Sequence, residues 1–238
     1  MSNSGSGSGG QSNVKNYYNV DLHGNLGFRQ DESQLPELSD AEKADLKQIK
    51  QQLSSHFRSI AEQVETELQA KIATGDIPKD DAFAQHEFRS RSQEKLFRDK
   101  QASPFFNQYE NTSLSSSAQD KFEEFTPDST ILKNSFTALP TTDDLQNMLH
   151  AFGEAIANTK FDVQLSLKTG WATSTLVYEE DFLSDSIKAH VEAQYLHLEA
   201  TEKEERPPWN GLLPPPLVKY VVVQQDFTQV KFEYDPQY

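Results

Sequence analysis

The hydrophobic period of this chain changes once. Up to about residue 158, apolar side chains that recur do so every three or four positions; from Phe161 onward they alternate every second position. The first spacing lines one face of a helix and the second one face of a strand. This order constrains the chain to an α+β fold, with N-terminal amphipathic helices followed by a mainly antiparallel C-terminal β-sheet of about five strands.

The helical signal begins at Ser39-Asp-Ala-Glu42, a capping box in which the serine and the glutamate satisfy each other's backbone donors. Leu46, Ile49, Leu53, Phe57, Ile60, Val64 and Leu68 follow on one face, and Thr74-Gly75 supplies a stop. Their mean spacing is nearer 3.6 than 3.5, which suits packing on the same protein better than a two-stranded coiled coil. A second helix is expected from Asp80 or Asp81 to about Lys100, because aspartate caps well and Phe83, Phe88 and Leu96 give it apolar contacts. From Ser103-Pro104 through Ser117 the sequence reads as a loop with a Ser-rich tip, and Lys121 to Phe125 as a short helix. Thr141 to Asp144 opens a further helix with Leu145, Met148, Leu149, Phe152 and Ile156 on one face.

Five strands are expected after it: Phe161 to Lys168, a turn at Thr169-Gly170, Trp171 to Tyr178, Lys188 to Leu198, Leu217 to Gln224, and Phe227 to Tyr234. Between the third and fourth lies Glu199 to Pro216, a long excursion whose prolines cannot donate to a ladder. The organisation that follows is a Gly/Ser-rich tail and arm over residues 1–37, a helical region with loops over 38–140, and a helix plus antiparallel sheet over 141–238, on one core or two.

Composition excludes several functions. The 37 acidic residues against 22 basic ones leave a formal charge of -15, a field that repels phosphate backbones and anionic lipid headgroups. General nucleic-acid binding is not expected, and membrane contact is disfavoured. Cysteine is absent, so disulfides and thiolate metal sites are excluded. No apolar stretch has the length of a membrane helix and the first thirty residues show no signal-peptide pattern, so the default expectation is cytoplasmic, with secretion by another route as the alternative.

The residues that carry chemistry elsewhere lack their usual companions here. Asp21-Leu-His23 matches the Asp-x-His that opens metallophosphoesterase sites, yet the chain contains no Asn-His dipeptide. His190 and His197 are seven apart on an expected strand, hence on opposite faces, and cannot share a metal without a bulge. No nucleophile elbow and no Gly-rich phosphate loop occurs. Glu179-Glu180-Asp181 reads as a solvated turn, and Asn111-Thr-Ser113 is a formal sequon. No catalytic residue, metal ligand or cofactor is therefore assigned.

Two features suit partners instead. Arg89, Arg91 and Arg98 form a basic island able to grip phosphate or an acidic partner, or to neutralise the chain's own carboxylates. Tyr17, Tyr18 and Phe28 on the arm, with Pro208, Trp209 and Pro215 in the Pro-rich loop, are candidate contacts, the loop as a polyproline II ligand for an aromatic groove or as a stiff cap on the sheet. The reading is a non-enzymatic interaction or assembly subunit that binds a protein partner or itself. The alternatives are a secreted effector or pore-forming protein, and a hydrolase whose site is assembled from distant residues.

Overall fold

The capping box at Ser39 forms as expected: its Oγ accepts from the Glu42 N–H at 3.2 Å, and Glu42 Oε2 accepts from the Ser39 N–H at 2.7 Å. In the computed structural model, which describes residues 16–20, 26–28, 39–127, 132, 143–159, 164–181, 186–209, 211 and 213–235, this cap starts helix α1, Asp40–Thr74. Gly75 ends the helix with a left-handed φ of 80° that costs a glycine nothing. All seven apolar positions from Leu46 to Leu68 are buried within the chain. Each contributes roughly 1.5–3 kcal/mol of burial, which decides the docking of this helix far more than propensity does. Helix α2, Ala82–Arg98, is capped by Asp81, whose side chain accepts from the Ala84 N–H. Helix α3 is Asp143–Ala157. Among the described residues no helix is long and apolar enough to cross a membrane.

The sheet is antiparallel, with its six strands in the order β2-β1-β4-β5-β6-β3. In chain order these are β1 Asn16–Val20, β2 Leu26–Phe28, β3 Phe106–Lys121, β4 Ser166–Asp181, β5 Ser186–Glu205 and β6 Val218–Tyr234. The α+β architecture matches the expectation, while several strand boundaries do not. The expected loop over 103–117 is mostly strand β3, followed by a single 3-10 turn at Phe122–Glu124. Thr169-Gly170 is no turn but the interior of β4, where the two residues pair with Leu198 and His197. The expected fourth and fifth strands are one, running unbroken through Gln225-Asp226. Glu179-Glu180-Asp181 ends β4 in register with Lys188, Ile187 and Ser186 rather than forming a turn. Phe161, Val163, the Asp21 to Asn25 segment and the tail Met1 to Asn13 lie outside the described residues.

Two apolar cores sit on the sheet. One gathers α1 and the end of α2 over Val191, Ala193, Tyr195, Val230 and Phe232. The other gathers α3, Phe122 and Phe125 over Leu196, Leu198, Ala200, Val221 and Val223. Strand pairing sets Ala193 opposite Val230 and Ala200 opposite Val223, so odd residues of β5 share a face with even residues of β6, and the reverse. The two cores therefore occupy opposite faces and opposite halves of the same three long strands. The burial changes face at Tyr195-Leu196.

Candidate interaction surface

Helix α2 crosses the sheet obliquely and brings an unexpected polar stripe down onto it. Ser90, Glu94 and Arg98 recur four apart, so they stack on one side of the helix. Ser90 Oγ donates to the Trp171 carbonyl on β4 at 3.0 Å, Glu94 meets His197 on β5, and Arg98 Nη2 donates to Asn111 Oδ1 on β3 at 3.4 Å. Gly170 lets the helix approach this closely: a Cβ there would stand 2.8 Å from Ser90 Cβ, 3.1 Å from Glu87 Cα and 3.2 Å from His197 Nδ1.

The stripe assembles groups that do acid–base work in other settings. His197 is 7% exposed, and its Nε2 lies 3.5 Å from Glu94 Oε2, an ion-pair distance beyond a well-formed hydrogen bond. Arg98 donates to Glu94 Oε1 at 2.8 Å. His197, and after it Arg98, hold the Glu94 carboxyl below the ordinary carboxylate range against the opposing effect of burial. Tyr195 is 1% exposed and its hydroxyl has no hydrogen-bond partner among the described residues, while burial raises its pKa well above the usual phenol value. Tyr195 and His197 are buried between helix and sheet, the His197 ring nitrogens making no hydrogen bond among the described residues, while Glu94 and Arg98 keep 22% and 31% of their side chains exposed. His190 takes the opposite face as expected from its odd separation, 3.3 Å from Glu192 and beside the Tyr109 ring.

His56 is likewise used structurally. Its Nε2 lies 3.0 Å from Ser103 Oγ, which itself donates to the Leu96 carbonyl, so the ring nitrogen is the donor. The rings of Phe57, Phe97, Phe105 and Phe106 surround it, and desolvation lowers its pKa. Among the described residues no three His, Asp or Glu side chains come together as a metal site. A wide-mouthed depression of about 400 Å³ on α1 is lined by Lys50, Gln51, Ser54, Ser55 and Arg58. It is too open to exclude water from a reacting group.

Each of the three arginines of the basic island has a carboxylate partner within the chain. Arg89 Nε lies 3.0 Å from Glu65 on α1, Arg91 pairs with Glu87 at 2.9 Å, and Arg98 with Glu94. Arg91 keeps 59% of its side chain exposed. The arm residues Tyr17, Tyr18 and Phe28 lie on β1 and β2; Tyr17 and Tyr18 are in register with Val177 and Leu176 of β4, so this part of the arm extends the sheet.

What stands outside the folded body is the connection between β5 and β6. Trp209 is 63% exposed, Leu213 82% and Leu217 51%. Pro208 is exposed and Pro215 half-buried, and residues 207–218 carry no charge. Sequence composition pointed to this loop as a candidate; it offered no sign of the Ser90, Glu94 and Arg98 stripe, because polar residues four apart on a helix ordinarily mark its solvated side. No protein-family model, curated protein or solved structure matches the chain.

Proposed function

We propose that the protein is a non-enzymatic interaction or assembly subunit whose partner contact is the Pro-rich loop between β5 and β6. The observation that carries this reading is the joint exposure of Trp209, Leu213 and Leu217 in one proline-stiffened, uncharged segment. Consecutive prolines favour polyproline II, which loses little entropy on docking in an aromatic-lined groove. Tryptophan is the side chain most often found as the anchor of such contacts.

The test is site-specific photo-crosslinking from position 209 in the native cell, with adducts identified by mass spectrometry and Lys71 on α1 as the control position. A discrete adduct from 209 but not from 71, with binding of that partner weakened at least about thirty-fold by Trp209→Ser at unchanged circular dichroism, supports the reading. Absence of any adduct above control from positions 209, 213 and 217 sinks it.

A further inference from the structure

We infer that β3 is a self-pairing edge through which two copies of this chain join their sheets. On its inner side β3 makes fifteen residue pairs with β6, and among the described residues it is the last strand in the sheet order. From Asn107 to Gln119, thirteen consecutive residues are exposed, so neither helical layer covers either face of the strand. An antiparallel edge turns the N–H and C=O of every second residue outward, and an extended strand is the structure that satisfies such a row.

Edges that must stay single are short, or carry proline, lysine or a central bulge. β3 has 16 residues, no proline, its irregularity near one end between Gln108 and Glu110, and its lysine at the other end, Lys121. Between Asn111 and Gln119 (NTSLSSSAQ) there is no charge at all. Ser115 and Ser116 direct their hydroxyls inward to Asp226 and Gln225 of β6, which leaves the outer edge unobstructed. Glu110 is neutralised within the chain by Lys231 at 2.8 Å.

The uncharged stretch lets a second copy be the occupant without setting carboxylates against one another, and the exposed leucine gives the register. A two-fold axis normal to the sheet sets residues of the same face opposite one another. With the axis at Leu114, which is 59% exposed, that leucine meets its counterpart, Thr112 meets Ser116, and Glu110 meets Ala118. The joined molecule is one continuous sheet of twice the six described strands. Because each chain carries a net -15, added salt screens the mutual repulsion and tightens the dimer.

This surface is separate from the Trp209 loop, so the two readings stand or fall independently. Light scattering across a concentration and salt series of the full chain is expected to give twice the 27.0 kDa chain mass, more fully at higher ionic strength. Leu114→Lys and Leu114→Glu alone should each be monomeric, an equimolar mixture of the two should regain the dimer, and Trp209→Ser should leave it unchanged. The chain has no cysteine, so Leu114→Cys reports contact directly: oxidation should crosslink it across the axis, and Ser117→Cys should not crosslink. A wild-type chain that stays monomeric throughout, a dimer indifferent to Leu114→Lys, or equal crosslinking at positions 114 and 117 would overturn the inference.

Discussion

Gly170 sets the height at which α2 rests on the sheet. Its pairing partner across the ladder is His197, and both lie under the helix turn that carries Glu87 and Ser90. Gly170→Ala should therefore lift or tilt α2, at a cost of about 1–3 kcal/mol for overpacking, visible as a lowered midpoint in urea denaturation. An unchanged midpoint would mean that the helix yields freely. His56 makes a prediction in pH. Its pKa in the folded state is depressed below the ordinary 6.5 by burial, and that of His86 is depressed by burial and by Arg89. Above about pH 6.5 both are neutral folded or unfolded and contribute no slope; as pH falls through that value the unfolded chain takes up protons first and stability is lost. Urea midpoints from pH 7.5 to 5 should fall in the wild type and fall less in His56→Gln, with the His86→Gln addition flattening the profile further.

At the scale of elements, those that bury one regular stripe were legible and those that do not were obscured. α1 shows its cap, its seven inward positions and its Gly75 stop in the sequence because a single face meets a single core. β3 was hidden since it buries only Phe106, so its serines and asparagines show no alternation and resemble a loop. β4 and β6 were each divided in two for a different reason. In β6 the buried positions are Val221, Val223 and Gln225, then Val230, Phe232 and Tyr234, a slip from odd to even across the middle of the strand. Thr169 and Gly170 mark the same slip in β4. A change of buried face within one strand and a turn between two strands leave the same trace in a hydrophobic pattern. The candidate sites divided along similar lines: an apolar loop is visible in composition, whereas the contact of Glu94 with His197 joins positions about a hundred apart and has no local signature.

For the whole molecule, the long strands act as a wall common to both cores. β5 alone, at 20 residues, extends about 65 Å at 3.3 Å per residue, longer than either helical layer over it. Tyr234 at the end of β6 donates to Gln52 of α1 and closes the first core, while the Phe83 ring of α2 meets Phe152 of α3 at 5.4 Å in the second. Because the two cores are staggered along the wall, they are expected to open separately even though each of the three long strands belongs to both. Phe152→Ala, removing a ring that is 0% exposed, should cost about 3–5 kcal/mol locally. Native-state hydrogen exchange should then show amides of β5 from Leu196 to Ala200 exchanging faster while those from Ala189 to Tyr195 keep their protection. Uniform acceleration along β5 would instead mark a single cooperative unit. The molecule would thus unfold as a zip with two sliders, and a ligand that tightens one half need not be felt in the other.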